Sequence, residues 1–414
     1  MKRYDTYKDS GVQWLGEIPG HWERTRLKNV MKLLNGRAYL QPELQEIGKY
    51  RILRVGNFFT NDRWYYSDME LEPDKYCNKG DLLFAWSASF GPYIWNEEKA
   101  IYHYHIWKVL LGERYDKLYA YYMFLAFSEV KRRDVHGSTM VHLTLQNMNQ
   151  SYIPLPPLSE QRSIVSFLDA KCGKIDEWVT KKQKEVEHLQ ELKQRVIADA
   201  VTRGLNPHVK MKATNIPWLK KIPEHWEMRK MKYLFDERSE KNHPDEPMLS
   251  ATQSEGVILQ SKYQGRVVVV NTGFEGLKLV KVGDFVIHLR SFQGGIEYAH
   301  DRGIISSAYT ILNPKYPEYS AYYKRLFKSS SFIDLLKICV TGIREGQNIN
   351  YSKLKQFSIP VPPLSEQKQI VSYLDAKCAK IDKLIANITK EIECIKEYKQ
   401  RLISDVVTGQ IKVC

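Results

Sequence analysis

Apolar residues recur at steps of three and four along the last forty residues of the chain: Ile370, Leu374, Cys378, Ile381, Ile385, Ile388, Ile392, Ile395, Tyr398, Leu402 and Val406. This spacing predicts one long helix with a coiled-coil seam. A less regular version runs through Ile164, Leu168, Cys172, Ile175, Val179, Val186, Leu189, Leu192 and Val196. There Lys182 interrupts the seam, and Gly173 weakens the helix by roughly 1 kcal/mol relative to alanine. Pro156-Pro157 and Pro362-Pro363 bar helix immediately upstream. Ser159 and Ser365 are the expected N-caps, and Gly204 and Gly409 the expected stops. At about 1.5 Å per residue, some forty residues make a rod of roughly 60 Å. An apolar stripe of that length stays wet on an isolated helix. Two such helices in one chain bury their stripes against each other, and an antiparallel pairing makes the halves equivalent about a pseudo-two-fold axis.

The two helices belong to a larger duplication. IPLPPLSEQRSIVSFLDAKCGKID at 153–176 returns as IPVPPLSEQKQIVSYLDAKCAKID at 359–382, identical at nineteen of twenty-four positions and offset by 206. QELKQRVIADAVTRGL (190–205) returns as KEYKQRLISDVVTGQI (396–411) at the same offset. Upstream, WLGEIPGHW, with Trp14 and Trp22, is matched by WLKKIPEHW, with Trp218 and Trp226, offset by 204. A period of this size is a duplicated domain, not a solenoid.

The segments between, about 25–150 and 230–355, carry aromatic and β-branched runs broken by Gly, Asn and Asp. GDLLFAWSASFGPYIW (80–95) and GDFVIHLRSFQGGIEY (283–298) each open on a Gly-Asp turn followed by a strand-like run. Helices are expected at about 117–134 and 318–337. The predicted fold class is therefore α+β: two mixed α/β heads separated by two long helices that form an antiparallel coiled coil. The expected linear division is 1–155, first head; 156–206, first helix; 207–361, second head; and 362–414, second helix. The heads share a plan but their side chains diverge, whereas the helices do not.

Charge sharpens the picture. The chain of 414 residues has a formal net charge of +14. Residues 160–203 and 366–405 each carry only +1, which leaves +12 for the remainder. A basic excess concentrated outside the helices points to a polyanionic partner for the heads. No apolar run approaches the length of a membrane span, and MKRYDTYKDSGVQW lacks the apolar core of a secretory signal. Six scattered cysteines, with no CxxC pair, fit reduced thiols in a cytoplasmic setting.

Catalytic signatures are sparse. The sequence has no GxxxxGK[ST] phosphate loop, HExxH, GxSxG or Asn/Asp-Pro-Pro-Tyr/Phe methyltransferase motif. Pro73-Asp74 with Glu97-Glu98-Lys99 fits a permissive nuclease pattern that a chain this charged matches by accident. His103 and His105 lack a third ligand at metal-site spacing. No catalytic and no metal-binding residue is assigned.

Nucleic acid suits the heads better. Trp86-Ser87 and Arg290-Ser291-Phe292-Gln293 occupy matching places after the Gly-Asp turns, and Arg and Gln make bidentate bonds to guanine and adenine edges. HGSTMVHLTLQN (136–147) and TGIREGQNIN (341–350) close the heads with Gly, Arg, Gln, Asn, Thr and His. Were these loops to face away from DNA, the recognition surface would be sought among Arg63, Tyr65 and Arg266.

PLPPLSEQ and PVPPLSEQ, each closing a variable segment and opening a long helix, resemble the specificity subunit of type I restriction–modification systems. So do the paired Gly-Asp segments, the paired WLG-IP-HW entries and the duplication itself, and the resemblance covers essentially the whole chain. It implies two target-recognition domains, each reading half of an interrupted DNA site. It implies helices that separate them and dock two methylation subunits, with restriction subunits joining the complex. S-adenosylmethionine, ATP and Mg are expected on those partners and no cofactor on this chain, which is expected to be non-catalytic. The positions matching the family plan for DNA contact are Trp86, Ser87, Ser138, Thr139, His142, Arg290, Ser291, Gln293, Arg344, Gln347 and Asn348. Those assigned to the docking helices are Leu168, Ile175, Val186, Leu374, Ile381 and Ile388. Two other readings stay open at this point: a free-standing bivalent DNA-binding regulator, and a coiled-coil adaptor whose heads bind protein.

Overall fold

A computed structural model describes residues 2–59, 62–87, 90–133, 143–216, 218–265, 272–341 and 348–413. The chain forms two compact units, Met1–Gln183 with Lys390–Cys414, and Lys184–Thr389. Each unit therefore holds one head, the beginning of the long helix that follows it and the end of the other long helix.

The long helices run Leu158–Arg203 and Leu364–Val407. They begin one residue before Ser159 and Ser365, so those serines lie inside the first turn and do not cap it. In the first unit the two helix segments are antiparallel. Ile164 and Leu168 share a core with Leu402, Ile403, Val406 and Val407, while further along Lys399 pairs with Asp176 at 2.6 Å. The second unit repeats the device. Ile370 and Leu374 pack with Ile197, Ala200 and Val201, and Lys193 pairs with Asp382 at 2.6 Å. Each lysine and each aspartate is the counterpart of the other by the offset of 206.

The seam differs from expectation at one repeated place. Leu192 and Tyr398 were expected inside it but are each 45% exposed. Lys193 and Lys399 take the inward positions, laying their methylene stems along the apolar groove and their ammonium groups on the aspartates. A heptad counted on apolar residues alone assigns the apolar side chain inward. The acidic partner on the facing helix reverses the choice.

Each head carries a four-stranded antiparallel sheet of the same order. In the first, Met31–Asn35 pairs with Ile106–Leu111, which pairs with Leu82–Ala85, then Gly91–Ile94. In the second the order is Phe235–Arg238, Thr310–Pro314, Phe285–Ile287 and Glu297–Tyr298. The Gly-Asp runs thus supply an inner strand of each sheet. A helix over Lys117–Arg133 covers the first sheet. Its counterpart is broken into Ser320–Leu326 and Ser330–Ile338, because Ser329 accepts from the Phe332 N–H and caps a new start. Tyr119 and Tyr322, from these helices, donate to the carbonyls of Val407 (3.0 Å) and Val201 (2.7 Å). Each satisfies a carbonyl left open where the incoming long helix ends.

The repeated WLG-IP-HW and PPLSEQ motifs turn out to be neighbours. Glu23–Arg26 pairs antiparallel with Tyr152–Leu155, and Glu227–Lys230 with Ser358–Val361. Trp22 and Trp226 are fully buried. Their indole N–H groups donate to Glu160 and Glu366, in the first turn of the long helices, and His21 and His225 reach the same carboxylates. The following Gln161 and Gln367 donate to Pro156 and Pro362 carbonyls at 2.8 Å. Head and helix are therefore joined by side chains that the chain carries twice. Among the described residues no helix is long and apolar enough to cross a membrane.

Candidate nucleic-acid interface

The Gly-Asp turns that set up both candidate surfaces are structural. Gly80 and Gly283 sit at φ +91° and +96°, a conformation that a side chain strains. Asp81 accepts from the Asn78 N–H and pairs with Lys108 at 2.6 Å. Asp284 accepts from the Lys281 N–H and pairs with Arg238 at 2.9 Å. Each aspartate ties its turn to another strand of the same sheet, so the strand leaves it in a fixed direction.

In the first head that strand delivers Trp86 to the edge of the core. Its ring stacks on Trp107 at 5.7 Å and its indole N–H donates to the Tyr104 carbonyl at 2.8 Å. The ring is half-buried, edge-on to His105 at 5.0 Å. Trp86 therefore serves first as a packing residue, and Ser87 follows it, also half-buried. Beyond His105 lies a cavity of about 440 Å³ lined by Arg54, Asn57, Arg63, Tyr65, His103 and His105, with backbone from Val55 and Gly56. The Arg54 and Arg63 guanidinium groups lie over the Tyr65 ring, 5.4 and 5.1 Å from its centre. His103 and His105 have ring centres 4.9 Å apart. Burial, then His105 and Arg54, push His103 down to about 4, so it is neutral near pH 7. Among the described residues no carboxylate lines this cavity. Arg63 and Tyr65, the alternative surface should the loops face away from DNA, lie on this cavity. Strand pairing of Tyr50–Leu53 with Ala100–Tyr102 and with Tyr65–Ser67 brings them to His103.

In the second head the strand runs into a short helix, Ser291–Gly294. Arg290 and Gln293 are exposed there. Ser291 is not: it is 0% exposed, and its hydroxyl accepts from the His288 N–H at 2.9 Å. Ser291 is thereby removed from the DNA-contact set, since its hydroxyl is committed to the turn that positions Arg290. Beneath this loop Lys328 donates to the Gly294 carbonyl and to the fully buried Glu297, fixing the loop from below. Asn348 is exposed, in a short ladder with Val340–Thr341 at the end of helix Ser330–Ile338. The same helix packs against Ser291–Gly294. Ser138, Thr139, His142, Arg266, Arg344 and Gln347 lie outside the described residues.

The helix positions assigned to partner docking need a correction. Leu168, Leu374, Ile381 and Ile388 are at most 6% exposed, and Ile175 and Val186 are half-buried. Leu168 and Leu374 lie in the packed cores of their units, and a side chain already buried there offers a partner nothing. The nuclease-like carboxylates are occupied separately, Asp74 by Lys75 and Glu97 by Arg51. No group of three or more metal-ligating side chains occurs among the described residues.

The model of the type I restriction modification DNA specificity domain matches this chain twice, over residues 19–188 and 220–394. The chain belongs to that family. Its two matched copies coincide with the duplication, and each takes in a head and much of the long helix that follows. In this specificity family a Methanocaldococcus jannaschii chain described as the type I restriction enzyme MjaX specificity subunit is 27% identical, over 96% of both chains. The EcoBI specificity subunit of Escherichia coli is 19% identical over 97% of this chain and 89% of its own. A chain from a structure concerned with complex assembly and conformational transition of the type I R-M system aligns with a TM-score of 0.64. It is 16% identical, covers 95% of this chain and 99% of its own, and shows the fold. Membership makes the heads the DNA-recognising part of this specificity subunit.

Proposed function

We propose that this specificity subunit reads a bipartite, interrupted DNA target, one half with each head. It directs two methylation subunits, and restriction subunits with them, to that site. The observation that supports this reading most is what the duplication keeps and what it varies. The joints between head and helix recur, Trp22–Glu160 with Trp226–Glu366, and so do those between the helices, Asp176–Lys399 with Lys193–Asp382. The surfaces after the Gly-Asp turns do not: the first carries Trp86-Ser87, the second Arg290-Ser291. A scaffold kept constant under two variable surfaces is what two independent half-site readers require. Catalysis is assigned to the partners, which would carry S-adenosylmethionine, ATP and Mg. The seam being filled, a docking partner would use the outward faces, where Leu192 and Tyr398 stand exposed at equivalent positions.

The test is a map of methylated adenines in host DNA with and without this chain. Loss of one interrupted motif on deletion is the expected result. An unchanged map, with DNA binding by the purified chain retained, would favour a stand-alone bivalent DNA-binding protein.

A further inference from the structure

We infer that the Arg54–Arg63–His103–His105 cavity of the first head holds a DNA backbone phosphate, and that seating it there takes up a proton on His103. This rests on the DNA-binding reading above and adds to it a ligand group and a regulation by pH.

The geometry supplies the anion site. Two guanidinium groups are held over one ring, Tyr65, which orders long side chains that would otherwise lose freedom on binding. The turn behind them is tied internally: Asn57 accepts from the Arg54 N–H and donates to the Arg63 carbonyl, at 3.0 and 2.9 Å. Planar guanidinium forks match phosphate oxygens in bidentate geometry. The cavity, at about 440 Å³, admits a phosphate with part of its sugar, and among the described residues its lining contains no carboxylate.

The proton follows from what surrounds His103. Arg54 faces it from the end of strand Tyr50–Leu53, His105 from two residues on, and the Tyr39 and Tyr104 rings at 6.3 and 4.5 Å. Arg37, which pairs with His103 through the backbone, has its guanidinium on Glu43. Without an anion beside it, burial and the neighbouring cations hold the ring neutral, down to about 4. A phosphate reverses the sign of the local field and raises that value. A group whose affinity for protons rises on binding strengthens binding below its bound-state value, and the gain is lost as pH rises through it. If the bound ring returns to an ordinary value of about 6.5, DNA affinity at pH 5.5 exceeds that at pH 7.5 by roughly tenfold from this residue alone.

The experiment is fluorescence anisotropy of the full chain on a labelled duplex between pH 5.5 and 7.5, at fixed salt. The unaltered protein, His103→Gln and Arg54→Ala are compared. The unaltered protein should gain affinity toward low pH, and His103→Gln should lose most of that gain, its affinity varying little between pH 5.5 and 7.5. Arg54→Ala removes one of the two guanidinium groups from an exposed position and, with it, one of the cations that keep His103 neutral. It should bind more weakly at every pH, with a salt slope lower by about one and a smaller pH effect. If both variants bind with the unaltered protein's pH profile and salt slope, the cavity does not hold phosphate. If the unaltered chain binds no duplex at any pH, the DNA reading itself falls.

Discussion

Replacing Glu366 with alanine tests the joint between head and helix. Its carboxylate accepts from the Trp226 indole at 3.0 Å and from His225 at 2.8 Å. Trp226 is fully buried and Glu366 is partly exposed. A hydrogen bond to a charged group contributes about 1.5–3 kcal/mol, and partial exposure places this one at the lower end. Leaving the indole N–H buried without an acceptor costs about 1 kcal/mol more. His225 is half-exposed and adds little. Glu366→Ala should therefore destabilise the second unit by about 2–3 kcal/mol. Trp226→Phe removes the donor, and in that background the alanine change should cost about 1–2 kcal/mol less, the coupling energy of the cycle. Hydrogen exchange of peptides spanning 220–230 and 364–380 reads the loss in the unit concerned. A coupling energy within about 0.3 kcal/mol of zero would refute the claim that the HW and SEQ motifs recur because they bond to each other.

Three shorter tests address the other assignments. Arg290→Ala should flatten base preference at one position of one half-site, by roughly 1–3 kcal/mol in competition binding, if it reads a base; uniform weakening assigns it to phosphate. Ser291→Ala should lower stability by about 1–2 kcal/mol in urea unfolding, whereas Gln293→Ala, on the surface, should not. Lys399→Leu should leave thermal stability unchanged or raise it, because the exposed end of the Asp176 pair contributes at most about 1 kcal/mol while the groove welcomes an apolar side chain.

The sequence made the large elements legible because their signals are local. The three-four spacing from Ile370 to Val406 marks a helix whatever it packs on, and the duplication announces two equivalent halves. Legibility ended where a residue's role depends on a distant neighbour. Lys399 displaces Tyr398 from the seam only because Asp176 waits on the facing helix. Ser291 looks like a base-contacting hydroxyl until the turn at His288 claims it. The cationic cavity gathers residues 54, 63 and 103 through pairing of strands, which no short motif encodes. One signal was available: two arginines, Arg54 and Arg63, closely preceding Tyr65, with a histidine pair elsewhere in the same head. The phrase PPLSEQ was visible as a repeat, but its chemistry needed Trp22 and Trp226 beside it.

The central claim is that each head reads its own half of the target. Exchange of residues 25–150 for the corresponding segment of a specificity subunit with a different site, followed by mapping of methylated adenines, tests it most directly. The account predicts a hybrid motif in which one half changes to the donor's and the other stays as before. A change in both halves, or in neither while methylation continues, would contradict it.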